Sequence, residues 1–399
     1  MTATVYVRHQ GLRRLLRRHP WVFRSSVERI EGAPADGDVV DVRAPDGRFL
    51  ARGFFSSRSL LQVRAFAFEE GVEADAALVH ARLAAAVAFR REVCRLPSAE
   101  TDCWRAVHGD ADLLPGVVLD LLGEVAVLQI TSVGFERRRA LLLDAIEEQL
   151  RPRAIVERSD DRTRAREGLP PVVGLVRGSL PAADAEGRWW VRERGLVFPC
   201  DPLGGQKTGF YADQRDNRAL VAELAPGRTV LDLFCYSGGF ALAAARAGAR
   251  RVTAVERSAE ALELARAAAV RNRLEVELVR ADAFRFLQQC RAEGRTFELI
   301  VLDPPRYAVS RRSLEPALEK YGALARLALG VTAPGAVLLA CSCSGLLEEA
   351  RFEELLAEAA RRAGRHLRVF HRGGQAADHP VAASCPEGRY LKALFCHVA

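Results

Sequence analysis

The chain has 399 residues, 49% of them apolar and 27% charged, enough for two or three domains with cores of their own. No apolar run reaches the roughly 20 residues of a membrane span. The opening MTATVYVRHQ lacks the apolar stretch of a secretion signal, so a soluble cytoplasmic protein without membrane contact is expected.

Fifty-eight cations against 51 acids give a net charge of +7, yet only Lys207, Lys320 and Lys392 are lysines. So strong a preference for arginine fits a G+C-rich genome, and net charge is weak evidence for a nucleic-acid partner. Placement says more. The first 27 residues carry Arg8, Arg13, Arg14, Arg17, Arg18 and Arg24 with no acid. On charge alone a solvated helix face and an RNA-facing surface are equal readings. The nine cysteines are an odd set without paired CxxC motifs, which predicts free thiols and no metal site.

Residues 1–70 read as short strands: EGAPADGDVVDVRAPDGRFLARGFF alternates apolar and polar residues around two Asp-Gly turns, as in a small β-barrel. A helical period follows from Glu73 to about Arg95, ended by Pro97. Residues 104–130 return to strand pattern, with Pro115-Gly116 separating RAVHGDADLL from VVLDLLGEVAVLQI. A helix through RRRALLLDAIEEQL and strands near Ile155 and Val172 complete a strand–strand–helix–strand–strand α+β domain over 71–195. Within it RSDDRTRAREGLPP reads as an exposed loop. From 196 to 399 apolar strands alternate with Ala-rich helices, the rhythm of a doubly wound parallel sheet. The final YLKALFCHVA is expected to close that sheet as an antiparallel edge.

The first strand of this sheet ends in DLFCYSGGF, which is neither GxGxxG nor a P-loop. An acid, Asp232, stands where a phosphate site would want donors. Such a rim suits an ammonium or a ribose, and a sulfonium-bearing, phosphate-free ligand such as S-adenosylmethionine (SAM) fits it. Glu256, 24 residues on, ends the second strand and can accept ribose hydroxyls; Asp282 ends the third and can reach the adenine amine. Asp303 ends the fourth, in DPPR. Each acid alone could be a helix cap; four at successive strand ends are hard to explain as caps.

The order DLFCYSGGF, AVERS, ADAF and DPPR resembles class I SAM-dependent methyltransferases. GGQKTGFYADQRDNR (204–218) and ADHPVAASCPEGRYLKALFC (377–396) narrow the likeness to large-subunit ribosomal RNA methyltransferases of the cytosine-C5 type. The resemblance covers nearly the whole chain. It implies a multidomain α/β architecture: a PUA-like β-barrel over 1–70 carrying HPWVF, the α+β middle domain, and a Rossmann-like catalytic domain over 196–399. It further implies SAM as cofactor and 23S ribosomal RNA or a large-subunit precursor as partner, and leaves a homodimer open. Phe234, Tyr236, Ser237 and Gly238, with Phe210, Tyr211 and Gln214, fall in the segments that would hold SAM. Arg13, Arg14, Arg17, Arg18 and Arg306 are the expected RNA contacts, and Lys207 reads equally well as a phosphate contact.

Pyrimidine C5 is too weakly nucleophilic to take a methyl group unaided. A thiolate adding to C6 makes it enamine-like. CSCSG at 341–345 ends the fifth strand, and the resemblance carries the nucleophile to Cys343, with Cys341 as packing. Two buried structural thiols are the alternative. DPPR has Arg306 where many RNA cytosine methyltransferases carry a second cysteine. Asp303 is expected on the cytosine N3 or amine. Glu387, nine residues after Asp378, is the candidate acceptor of the C5 proton. A uridine-C5 enzyme, a guanine-N7 enzyme, and a non-catalytic RNA-binding assembly factor remain the rival readings.

Overall fold

The structure is a computed structural model that describes residues 2–160, 162–308 and 310–399. The chain forms two units: Met1–Val191 with Cys200–Ala212 and Asp378–Gly388, and Arg192–Pro199 with Asp213–Ala377 and Arg389–Ala399.

The first unit opens with a six-stranded sheet built from strands between Ala3–Val7 and Leu61–Ala67, with a short helix, His9–Leu15, after the first strand. Alternation drives the sheet: Val5, Val7, Val40 and Val42 point inward at 0% exposure. Helix Ala76–Glu92 starts where Asp75 accepts a hydrogen bond from the Leu78 amide at 2.9 Å, an N-cap. It leads into a five-stranded sheet ordered Val172–Gly178, Ala154–Ser159, Val125–Ile130, Val117–Leu122, Cys103–His108. The segment read as one strand, 117–130, is therefore a hairpin, because Gly123 takes φ of +60° and turns the chain. Phe54 and Phe66 of the first sheet share a core with Val79, Leu83 and Phe135, so the two sheets of this unit are packed as one body.

The segment read as an exposed loop is partly interior. Arg164, 1% exposed, donates to Glu136 Oε2 at 2.7 Å and to the Ile130 carbonyl at 2.9 Å. Glu167, 2% exposed, accepts from Arg64 at 3.1 Å. Charge density suggested solvent there, but buried charges persist where each finds a partner.

The second unit carries a seven-stranded sheet, labelled β1 (Thr229–Leu233), β2 (Arg251–Glu256), β3 (Glu277–Arg280), β4 (Phe297–Leu302), β5 (Thr332–Ser342), β6 (Leu367–Gly373) and β7 (Lys392–Val398). The order is β3-β2-β1-β4-β5-β7-β6, parallel except for β7. The last strand is thus not the edge: it is inserted antiparallel between β5 and β6. The more polar LRVFHRG of β6, with Phe370 half exposed, takes the rim.

Helices α1 (Arg215–Leu224), α2 (Gly239–Arg246) and α3 (Ala259–Asn272) cover one face of this sheet. They meet Val230, Leu299, Val301, Leu339, Cys341 and Phe395. Helices α4 (Ala283–Ala292), α5 (Leu314–Leu329) and α6 (Glu349–Arg362) cover the other, meeting Leu231, Leu233, Ile300, Leu302, Leu338 and Leu394. Alternate residues of the same strands thus feed two cores, which is why these strands read as continuous apolar runs. Among the described residues no helix is long and apolar enough to cross a membrane.

Candidate active site

Ligands of such sheets bind beyond the carboxyl ends of the parallel strands, and the second unit gathers the expected acids there. Asp232 is 1% exposed. Its Oδ2 accepts from the Ala241 amide of α2 at 3.0 Å, while its buried Oδ1 has no hydrogen-bond partner in the protein. Burial first, then Asp303 and Glu256 nearby, push this carboxyl up to about 8 against the pull of the Ala241 amide. An orphaned acceptor at a strand end fits a ligand bearing a buried donor or cation, as the ammonium of SAM would be.

The loop after β1 is bent by left-handed residues at Phe234 (φ 64°), Tyr236 (48°) and Gly238 (83°). Two of the three are not glycine, so this loop holds two left-handed non-glycine residues within three positions beside the strand-end acid. Ser237 is 4% exposed. The glycine pair has a local reason too. Gly238 supplies the left-handed turn, and a Cβ on Gly239 would stand 2.9 Å from the Arg218 side chain. Arg218 in turn forms a two-pronged buried pair with Glu193 at 2.7 Å.

Glu256 accepts from the Arg257 and Ser258 amides at 2.7 and 3.0 Å on Oε1, and from the Tyr236 amide at 3.3 Å on Oε2. Asp282 is the N-cap of α4: Oδ1 accepts from Phe284 and Arg285 amides at 3.0 and 3.2 Å. Both acids therefore also hold their own loops.

Gln214, 4% exposed, donates to Asp303 Oδ2 at 2.9 Å and accepts from Asn217 Nδ2 at 2.6 Å, which orients its amide. Register pairs Leu302 of β4 with Ala340 of β5, so Asp303 and Cys341 follow on adjacent strands. Cys341 is 1% exposed and its thiol is pushed up by burial and by Asp303, although Gln214 also bonds it. Cys343 lies just past the strand and is partly exposed. Ser342 donates to Tyr321 Oη at 3.3 Å, and the Ser344 hydroxyl lies 3.3 Å from the same oxygen, so a buried tyrosine of α5 braces both sides of Cys343. Arg306 is exposed, with Nε donating to the Ala308 carbonyl at 3.2 Å.

The remaining expected residues belong to the first unit. Phe210 is buried. Tyr211 donates to Gln206 at 2.5 Å and carries the Lys207 ammonium 4.1 Å above its ring. Thr208, in the same segment, donates to Asp120 at 2.5 Å, and Asp120 is held by both prongs of Arg105. Arg13, Arg17 and Arg18 are exposed. Arg14 instead donates to Glu387 Oε1 at 2.7 Å, and His19 meets Glu387 Oε2 at 3.1 Å. Although burial raises it, the Glu387 carboxyl is held below its usual range by its own backbone amide, His19 and Arg14. A carboxylate so held is a weakened proton acceptor. His19, Cys385 and Glu387 place possible ligand atoms within 4.8 Å, but the Arg14 guanidinium already supplies the cation there.

Sequence reasoning missed Lys392, Tyr321 and the buried Arg218–Glu193 pair. Lys392 had a signal, being one of three lysines in the chain and lying in a quoted motif.

Residues 5–68 match the family model of a PUA-like domain, and residues 180–394, more than half the chain, match that of S-adenosylmethionine-dependent methyltransferases. A SAM-dependent methyltransferase assigned in Streptococcus mutans has the same fold (TM-score 0.84, 19% identity, all of both chains). So does SMU.776, solved with SAH (TM-score 0.85, 19% identity, all of both chains). Sheet order, strand-end acids and matched models together define a SAM-dependent methyltransferase with a PUA-like N-terminal domain. Ribosomal RNA large subunit methyltransferase I of Shewanella denitrificans is 41% identical over 97% of both chains, and that of Klebsiella pneumoniae strain 342 is 39% identical over 96% of this chain and 95% of its own. The chain belongs to this ribosomal RNA large subunit methyltransferase I family.

Proposed function

We propose that the protein methylates C5 of a cytosine in 23S ribosomal RNA, in the cytoplasm, through a covalent bond from Cys343 to C6. The observation that carries this reading is the position of Cys343: a partly exposed thiol past the end of β5, braced through Ser342 and Ser344 and one strand from Asp303. Names of the relatives support ribosomal RNA of the large subunit as the substrate.

Asp232 and Glu256, with Tyr236 and Gly238 shaping the loop between them, are the residues to hold SAM, which when bound supplies an electrophilic methyl group. The target base is extruded to the rim, at a cost of about a few kcal/mol if it is paired. The Cys343 thiolate forms a bond to C6, and electron density moves to C5, which is then methylated. Loss of the C5 proton and departure of Sγ restore the ring and the thiolate. Asp303, an acceptor oriented by Gln214, favours a base that presents an amine, cytosine over uracil. Exposed Arg13, Arg17 and Arg18 on the PUA-like domain supply phosphate contacts. Mass spectrometry of 23S ribosomal RNA from cells with and without the gene tests the reading: one 5-methylcytosine should vanish with the gene. A lost methyluridine or methylguanine would replace it by one of the rivals.

A further inference from the structure

One buried cation of the second unit that the mechanism has not used is Lys392, the lysine in an interior that also holds Arg215 and Arg218. It is 2% exposed, and its Nζ donates to the carbonyls of Ser344 at 2.5 Å and Tyr390 at 3.0 Å. Its backbone lies opposite Ser342 in the β5–β7 register. The residue thus pairs with position 342 through its main chain and reaches position 344 through its side chain. It brackets Cys343.

We infer that Lys392 is the positioning residue of the nucleophile: its ammonium, fixed by two carbonyls, faces Cys343 and stabilises the thiolate. The inference rests on Cys343 being the nucleophile. The thiol proton leaves to solvent, the Sγ electron pair forms the bond to C6, and on elimination Sγ returns as thiolate to the same ammonium. Lys392 keeps its proton throughout.

The charged and titratable groups around this pair come from several elements. Cys343 and Glu349, at the start of α6, raise the lysine, while burial, the largest influence, and Arg306 of the DPPR loop bring it down to about 8. Tyr321 of α5 and Cys341 of β5 face Cys343 and are neutral near pH 7, both pushed up mainly by burial. At pH 7 Lys392 is therefore still mostly charged. In a chain where only three of 58 cations are lysines, a compact ammonium stands here rather than a guanidinium. Two carbonyls can hold a point charge against a single thiolate, whereas a planar five-donor fork needs more acceptors.

The test is site-resolved alkylation of Cys343 by iodoacetamide across pH in the full-length protein, read by peptide mass spectrometry. Cys94, the other partly exposed thiol, serves as internal control. The wild-type midpoint should lie below the ordinary cysteine value of about 8.5. Lys392→Met should raise it by about one unit, slowing alkylation at pH 7 about tenfold, while Lys392→Arg, which keeps the charge but lacks acceptors for its fork, recovers only part of the rate and Cys94 does not change. An unshifted midpoint in a folded Lys392→Met protein overturns the inference. If that variant does not fold, a wild-type midpoint at or above the ordinary value overturns it. No RNA is involved, so this outcome is independent of whether Cys343→Ala still methylates, which decides the nucleophile itself.

Discussion

Gln214 donates its amide to Asp303 at 2.9 Å while Asn217 holds the other end of the same amide at 2.6 Å. The strand-end acid that would meet the base is thus aimed from α1 and the short turn before it. Replacing Gln214 with Leu leaves Asp303 without that donor, a loss of about 1–3 kcal/mol for a partly buried, charged acceptor. The expected result is methylation reduced by tenfold or more with SAM affinity changed less, measured by turnover and calorimetry on one preparation. Equal losses in both would assign Gln214 to the cofactor instead.

At the proposed SAM site, Asp232 would make ligand binding a proton event. Its carboxyl is raised to about 8 in the fold, against about 3.9 unfolded. The sign follows: its contribution to stability is complete below about pH 4 and is lost as pH rises through about 8. Asp232→Asn should therefore be less sensitive than wild type to that rise and melt above it near pH 9. A cationic ligand favours the carboxylate, so SAM binding at pH 7 should release a proton and its heat should change with the ionisation enthalpy of the buffer. A buffer-independent heat would show Asp232 already charged.

The PUA-like domain cannot be cut away cleanly, because Phe54 and Phe66 complete the core around Phe135. Its role is better tested by charge. Arg13→Glu with Arg17→Glu should weaken RNA binding and lower the slope of log affinity against log salt by about 2, since each contact releases about one counterion. The melting temperature should hold, because both side chains are exposed. An unchanged salt slope would remove this segment from the RNA surface.

The parallel sheet was legible because β1, β2, β4 and β5 are apolar on both faces and end in acids or thiols, a pattern that local sequence displays. The rim acids Asp232, Glu256 and Asp303 could be placed from that pattern, whereas the choice of Cys343 over Cys341 rests on the family resemblance. What could not be read depends on partners far away in the chain. Arg164 and Glu167 look solvated until Glu136 and Arg64 are found beside them. β7 looks like an edge until β6, polar and without alternation, is seen outside it. Glu387 was chosen by spacing from Asp378, and spacing carries no information about Arg14, 373 residues earlier.

That carboxylate gives a fourth test. Glu387 is 40% exposed and tied to Arg14 and His19, so Glu387→Gln should cost at most about 1 kcal/mol in stability. Methylation should fall by no more than a few fold. If turnover instead stopped while a covalent RNA adduct accumulated, Glu387 would be the acceptor of the C5 proton after all.

The central claim is a bond between Cys343 and C6 of a cytosine, and RNA containing 5-fluorocytosine tests it most directly, because loss of the C5 substituent as a proton is blocked and the adduct persists. With SAM present, the wild-type protein and Cys341→Ala should each give an RNA-bound band on a denaturing gel, with peptide mapping placing the bond on residue 343. Cys343→Ala should give neither band nor methylated RNA. Methylation by Cys343→Ala at a rate comparable to wild type would contradict the account and make the protein an N-methylating enzyme.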